Sequence, residues 1–305
     1  MDFQNSTLPF GTLVTAMVTP FTEDGEVDFD ATAYLANKLV EDGCDGLVVS
    51  GTTGETSTLE DSEKEDLFRV VAQTVGGRAK VIAGTGTNHT SHSVEMARRA
   101  ERAGVDGQLV VTPYYNKPTQ AGVIAHFDAV TAATDLPVMV YDIPGRAGIA
   151  LSTSTIFRLA ENPRILALKD AKGDFAGITR VLANTTLDVY AGDDGLTLPW
   201  MVAGAVGVVS VSAHVATAQF RALVDAAAAG DFATARRIHF ELDPVVRAVM
   251  THIPGTVSTK QILAMQKVIP TATVRLPLVA PDAVEMETIL TDLAEAGMDF
   301  SRTEA

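Results

Sequence analysis

The feature that most constrains this chain is the alternation of short apolar runs with helical segments. Apolar runs typical of buried strands recur eight times over roughly the first 220 residues, and helical periodicity follows each of them. Parallel strands that are covered by helices on both faces show this pattern. Eight such units predict a closed (β/α)₈ barrel, because the competing doubly wound open sheet usually has fewer strands.

Beyond the eighth unit, the chain is predicted to be largely helical from about Val215 to its end. A barrel does not need this much additional helix. We therefore predict a catalytic barrel over residues 1–230 and a helical C-terminal domain over residues 231–305. The main helices expected in this part of the chain lie at 222–229, 232–250 and 283–296.

The charge balance restricts the partners of the protein. Its 305 residues contain 38 acidic and 23 basic side chains, a net charge of -15, which disfavours binding to nucleic acid and to anionic membranes. Cys44 is the single cysteine, so no intrachain disulfide forms, as suits a reducing compartment. The sequence has no signal-peptide pattern and no bilayer-spanning apolar run, so we predict a cytoplasmic protein.

The sixth apolar run, Ile165–Asp170, ends in a lysine. With a period of two residues, Ile165, Ala167 and Lys169 share one face of the strand, which places Lys169 at the carboxyl end on a buried side. Burial lowers the pKa of a lysine, and the neutral amine attacks carbonyl groups. The alternative is a structural lysine that pairs with an acid or extends its ammonium to water.

Other chemically capable side chains also follow predicted strands. In (β/α)₈ enzymes the loops at the carboxyl ends of the strands build the active site. A lysine can form an imine, hydroxyl groups can move protons, and an arginine can bind a carboxylate. The residues that suit these roles, besides Lys169, are Thr52, Thr53, Tyr114, Tyr115, Tyr141, Arg146 and Gly192.

Six motifs occupy these strand ends: GTTGE at 51–55, TPYYNKP at 112–118, YDIPGR at 141–146, LKDA at 168–171, GDD at 192–194 and GAVGVVS at 204–210. In this order, over essentially the whole chain, they resemble the class I pyruvate-dependent aldolase and lyase family. The resemblance implies a (β/α)₈ barrel with a helical C-terminal domain, usually assembled as a homotetramer. It also implies chemistry that requires no metal and no organic cofactor.

The resemblance implies a role for each matching residue. Lys169 is expected to form the imine with pyruvate, and Tyr141 to donate and accept protons. Thr52 is expected to link Tyr141 to Tyr115. Tyr115 is expected to enter the site of a neighbouring subunit.

The expected substrate contacts also follow from the resemblance. Thr53, the backbone of Val209 and Gly192 are expected to contact pyruvate. Arg146 is expected to bind the carboxylate of aspartate β-semialdehyde, and sialic-acid lyases of the family typically lack this arginine. The implied activity is condensation of pyruvate with aspartate semialdehyde in lysine biosynthesis. One alternative is a related 2-keto acid aldolase or dehydratase. Another is a non-catalytic barrel, and the complete set of site residues disfavours this second alternative.

Some family members are inhibited by lysine that binds between subunits. Their pocket commonly has a histidine after the GTTGE motif and an acid after a Gly-Thr-Gly turn. In this chain the place of the histidine holds Asp61 or Lys64, and the place of the acid holds His92. Two other residues of the pocket, Asn88 and Tyr114, are kept. A histidine cannot neutralise an amine as a carboxylate does. We therefore predict weak or absent inhibition by lysine.

Overall fold

The computed structural model describes residues 8–298 and has a closed barrel of eight parallel strands at its centre. Each strand pairs with the next one along the chain, and β8 pairs with β1. This closure confirms the predicted (β/α)₈ barrel. The strands are β1 (Leu13–Ala16), β2 (Gly46–Val49), β3 (Lys80–Gly84), β4 (Gly107–Val111), β5 (Val138–Asp142), β6 (Ile165–Asp170), β7 (Asp188–Ala191) and β8 (Gly207–Ser210).

Helices separate the strands and cover the outside of the barrel. Side-chain caps start several of them; for example, Asp28 accepts a hydrogen bond from the backbone of Ala31 at 2.9 Å, and Ser152 accepts one from Thr155 at 3.1 Å. The helices are α1 (Phe29–Glu41), α2 (Asp61–Val75), α3 (Thr90–Ala103), α4 (Gln120–Thr131), the single turn α5 (Pro144–Ala147), α6 (Thr153–Ala160), α7 (Phe175–Asn184), α8 (Thr197–Ala203) and α9 (Ala213–Ala228).

Three further helices form the predicted C-terminal extension: α10 (Phe232–Met250), α11 (Gly255–Met265) and α12 (Ala283–Glu295). Helix α10 packs on α9 and on α12, so the extension continues from the last barrel helix. The domain boundary near residue 230 stays a prediction, and residues 1–7 and 299–305 of the two predicted domains lie outside the described part. No helix within residues 8–298 is both long and apolar enough to cross a bilayer.

The largely helical region expected beyond Val215 is interrupted at residues 266–282, which contain no helix. Three prolines, Pro270, Pro277 and Pro281, lie in this segment and disfavour helix. Helix α11 lies in this predicted helical region but was not among its main helices, because eight of its eleven residues are buried, polar ones included. Such a helix has no amphipathic stripe.

The strands separate two apolar layers, and one predicted side-chain direction in β6 is wrong. Ala167 lies in the barrel interior with Tyr141 and Tyr190, whereas Ile165 packs in the outer layer beneath the helices. The register shifts by one residue, since Val138 pairs with Ile165 and the next residue, Met139, with Ala167. This bulge reverses the alternation before Ala167 but keeps Lys169 on the interior side.

Candidate active site

The loops at the carboxyl ends of the strands enclose a cavity of about 220 Å³. Four of the residues selected from the sequence line it together: Thr52, Tyr114, Tyr141 and Arg146. Thr52 follows β2, Tyr141 is in β5 and Arg146 is in α5. The barrel therefore collects side chains that are far apart in the sequence at one mouth, as this fold does in enzymes.

Lys169 is buried beside this cavity. It is the register partner of Tyr141, and its Nζ atom lies 4.3 Å from the centroid of the Tyr141 ring. Burial lowers the pKa of Lys169 from 10.5 to about 8; the charge of Arg146 also lowers this pKa, while the charge of Asp194 raises it. A substantial share of this amine is therefore neutral, and nucleophilic, just above neutral pH.

Tyr141 responds to the same burial in the opposite direction. Burial raises the pKa of its phenol from 10.0 to about 12, and the charge of Arg146 opposes this shift. Desolvation disfavours the charged form of each group, which is the ammonium of Lys169 and the phenolate of Tyr141. The phenol therefore keeps its proton in conditions in which the amine loses one.

The Gly-Thr-Thr-Gly-Glu motif forms a turn, which we call the 51–55 loop. Its backbone closes on itself, because Gly54 donates to the carbonyl of Gly51 and Glu55 donates to that of Thr52, both at 3.1 Å. Glu55 adopts the left-handed conformation with φ of 57°, which costs a non-glycine residue about 1–2 kcal/mol. Contacts elsewhere must hold this strained turn in place.

Thr53 faces a second cavity, of about 190 Å³, next to the first. Thr52 and Arg146 border both cavities. The hydroxyl of Thr256, in α11, donates to the carbonyl of Thr53 at 3.1 Å. In the described part of the chain, no hydrogen bond joins the hydroxyls of Thr52 and Tyr141, although both residues line the first cavity.

Tyr115 is not brought to the other site residues within one chain. Its side chain is 87% exposed, and its backbone is left-handed with φ of 71°. Its N–H donates to the carbonyl of Ala147 at 3.3 Å, which fixes the backbone beside α5. The phenol therefore extends from the rim of the barrel into solvent.

Val209 and Gly192 lie deeper in the structure. Val209 is buried in the interior layer that also contains Tyr141. The N–H of Gly192 donates to the carbonyl oxygen of Asp170 at 2.7 Å, and a Cβ atom at position 192 would lie 2.8 Å from that oxygen. Only glycine fits this close approach, and its N–H is already occupied.

The sequence patterns assigned no role to Asp194, which the structure places near Lys169. Asp194 is 3% exposed and accepts hydrogen bonds from the N–H groups of Val211 at 3.2 Å and Ser212 at 2.8 Å. Its charge raises the pKa of Lys169. The only signal in the sequence was a pair of acids, Asp193 and Asp194, directly after the seventh strand.

Asp61 pairs with both His92 and Lys64, the residues considered above for the expected lysine pocket. The Nε2 atom of His92 lies 2.9 Å from both carboxylate oxygens of Asp61, and the Nζ atom of Lys64 lies 3.5 Å from one of them. Desolvation acts to raise the pKa of Asp61, but His92 and Lys64 outweigh it and lower that pKa. Within residues 8–298, no group of three or more potential ligands is arranged to hold a metal ion.

A (β/α)₈ barrel that brings a buried lysine, a tyrosine and an arginine together at the carboxyl ends of its strands has the arrangement of an enzyme active site. The chain belongs to the dihydrodipicolinate synthetase family, whose model matches residues 9–296.

Curated relatives and solved structures agree with this assignment. A 4-hydroxy-tetrahydrodipicolinate synthase from Kineococcus radiotolerans is 53% identical over 290 residues, covering 95% of this chain and 94% of the relative. A second such synthase, from Streptomyces coelicolor, is 51% identical over 292 residues, which cover 96% of this chain and 97% of the relative. The crystal structure of the dihydrodipicolinate synthase of Cyanidioschyzon merolae with lysine bound has a TM-score of 0.92 at 39% identity, covering 95% and 99%.

Proposed function

We propose that this enzyme condenses pyruvate with L-aspartate 4-semialdehyde to form 4-hydroxy-tetrahydrodipicolinate, in the diaminopimelate route of lysine biosynthesis. The observation that carries this proposal is a buried lysine with a lowered pKa, Lys169, in contact with the ring of Tyr141 at the mouth of the barrel. Relatives about half identical to this chain carry the name of that activity. A related 2-keto acid aldolase or dehydratase is the competing function.

The first half of the reaction takes place on Lys169. Its neutral amine attacks the keto carbon of pyruvate and water leaves, which gives an imine. The protonated imine is itself an electron sink, so the methyl group can lose a proton and become an enamine. Thr53, the backbone of Val209 and the space left by Gly192 are proposed to accommodate the pyruvate part.

The second half joins the two substrates. The enamine carbon attacks the aldehyde carbon of the semialdehyde, and the aldehyde oxygen takes a proton from Tyr141. Thr52 and Tyr115 are proposed to return a proton to Tyr141. The amino group of the second substrate then attacks the imine carbon. The ring closes as the bond to Lys169 breaks, and the free amine is restored.

We propose that Arg146 selects the second substrate. It borders both cavities and, within the described residues, forms no ion pair. Its guanidinium is therefore available to a carboxylate that arrives at the mouth. We propose that it binds the carboxylate of aspartate semialdehyde, which distinguishes this substrate from simple aldehydes.

The proposed assembly is a homotetramer in which Tyr115 completes the site of a neighbouring subunit. An aromatic side chain that is 87% exposed on a left-handed backbone supports this role, because within residues 8–298 little of its surface is covered and a neighbouring subunit could bury it. We also propose a cytoplasmic location, in keeping with the single, buried and unbridged thiol of Cys44.

The test is turnover of pyruvate plus aspartate semialdehyde, measured with a nicotinamide-dependent reductase that consumes the cyclic product. We expect turnover that requires both substrates. If there is no turnover in protein that still forms an imine with pyruvate, the proposed condensation is wrong and the aldolase or dehydratase alternative is favoured.

A further inference from the structure

A buried ion pair joins the 51–55 loop to the C-terminal extension. The Nζ atom of Lys260, in α11, lies 2.5 Å from Oε1 of Glu55, the last residue of the loop. Lys260 is 0% exposed and Glu55 is 5% exposed. The other carboxylate oxygen of Glu55 accepts a hydrogen bond from the N–H of Arg275 at 2.9 Å. Both charges are therefore enclosed by the protein.

The surroundings of Lys260 also argue that the pair serves more than stability. Its Nζ atom donates to the carbonyl of Thr273 at 2.8 Å and lies 3.9 Å from the centroid of the Phe21 ring. Burial lowers the pKa of Lys260 to about 8, although the charge of Glu55 opposes this shift. An apolar pair of similar volume often stabilises a fold as well as a buried ion pair does, so a buried ion pair is weak evidence for a purely stabilising role.

Helix α11 contacts the loop at a second point. Thr256 precedes Lys260 by four residues, so both side chains lie on one face of the helix. The hydroxyl of Thr256 donates to the carbonyl of Thr53, while Lys260 binds Glu55. One helix face thus holds the loop on both sides of Gly54.

The Arg275 side chain fixes the segment that follows the loop. Its guanidinium donates to the carbonyl of Thr58 at 2.8 Å and to both carboxylate oxygens of Glu63, at 2.8 and 2.6 Å. The C-terminal extension therefore contacts the chain before, at and after the left-handed Glu55. These contacts supply the constraint that a strained turn requires.

We propose that Lys260, Thr256 and Glu55 are positioning residues for the condensation. Through them, α11 holds the 51–55 loop so that Thr52 reaches the cavity of Tyr141 and Thr53 reaches pyruvate. This inference rests on the proposed function of that site. It assigns the C-terminal helix a part in catalysis through loop geometry, without contact with the substrate.

Two variants remove the contacts with little change in volume. Glu55→Gln combined with Lys260→Met removes both charges, so that neither is left buried without a partner. Thr256→Val removes only the hydroxyl that donates to Thr53. The matched control is Asp292→Asn, which weakens the ion pair between the buried Asp292 and the partly exposed Arg247 in the same extension and does not contact the loop.

The measurements separate geometry from folding. Borohydride trapping of pyruvate on Lys169 counts the intact sites, and turnover is then expressed per trapped site. We expect both loop variants to trap pyruvate, to lose turnover per trapped site by about 10-fold to 100-fold, and to need more pyruvate for half-maximal trapping. The control variant can contain fewer intact sites than the wild type, but its turnover per trapped site should stay within about twofold of the wild-type value.

Loop variants whose turnover per trapped site matches the control would overturn the inference. If the double variant does not fold, Thr256→Val decides alone, and an unchanged rate per trapped site would again overturn it. Wild-type protein that traps pyruvate without turnover would instead overturn the proposed function. In that case the pyruvate concentration for half-maximal trapping, raised or unchanged in Thr256→Val, still tests the role of the loop.

Discussion

The ammonium of Lys169 lies 4.3 Å from the centre of the Tyr141 ring, and the two residues are register partners on β6 and β5. One buried environment thus acts on an amine and on a phenol. It lowers the pKa of Lys169 to about 8 and raises the pKa of Tyr141 to about 12. Near neutral pH the pair therefore offers a nucleophile and a proton donor side by side.

The first prediction concerns the pH dependence of imine formation. Because the neutral amine reacts and burial lowers the pKa of Lys169 to about 8, the trapping rate at low pyruvate should rise with pH and level off above about pH 8. The rate of borohydride-trapped adduct formation across neutral and alkaline pH measures this. A midpoint near the ordinary lysine value would show that burial does not tune Lys169.

Arg146 should affect both the second substrate and this midpoint. Its charge lowers the pKa of Lys169, so Arg146→Gln should move the midpoint of the pH profile upward. The variant should also raise KM for the semialdehyde more than KM for pyruvate. The control is Arg158→Gln, on the exposed surface of α6, where Arg158 pairs with Glu161 at 3.3 Å. A midpoint that stays in place or moves downward would contradict the assigned electrostatics.

Tyr141→Phe should retain pyruvate trapping and slow turnover by about 10². The substitution removes the proton donor but leaves the ring beside Lys169. Tyr190→Phe is the matched control, because Tyr190 pairs with Lys169 from the other neighbouring strand while its hydroxyl donates to the carbonyl of Gly11 at 2.7 Å. Equal rates in the two variants would reduce Tyr141 to a packing role.

Sharing of Tyr115 between subunits can be tested by complementation. Lys169→Ala subunits lack the nucleophile and Tyr115→Phe subunits lack the relay, so each should be strongly impaired alone. In a random equal mixture, about a quarter of the sites combine an intact Lys169 with an intact Tyr115 from a neighbour. Activity should therefore return after the subunits are dissociated and reassembled together. A mixture no more active than its separate components would place Tyr115 outside the neighbouring site.

Lysine should inhibit this enzyme weakly or not at all. Asp61 pairs with His92 at 2.9 Å and with Lys64 at 3.5 Å, and no carboxylate stands in place of His92 to meet the amine of the ligand. Initial rates over a range of lysine concentrations measure the effect. Half-inhibition well below millimolar concentration would contradict the prediction.

Local sequence patterns were sufficient to predict the barrel and the buried position of Lys169. The apolar run and the terminal lysine are adjacent in sequence, so periodicity placed Lys169 on the interior. The same periodicity failed for Ile165, because the bulge depends on pairing with Val138 of another strand. A single strand contains no information about the register of its neighbour.

Long-range contacts in the site were not predictable from local patterns. Glu55 and Lys260 are 205 residues apart, and Lys260 lies in α11, a helix without an amphipathic stripe. The proposed role of Tyr115 depends on contacts with another subunit, which local patterns in one chain do not encode. The motif residues were found, whereas most of the residues that support them were not.

The central claim is that Lys169 carries the imine, and borohydride reduction with pyruvate followed by peptide mass analysis tests it most directly. Lys260 provides an internal comparison, because burial also lowers its pKa to about 8 but Glu55 binds it. The account predicts one reduced pyruvate adduct on the peptide that contains Lys169 and no adduct in Lys169→Ala. An adduct that persists in Lys169→Ala, on Lys260 or any other lysine, would contradict it.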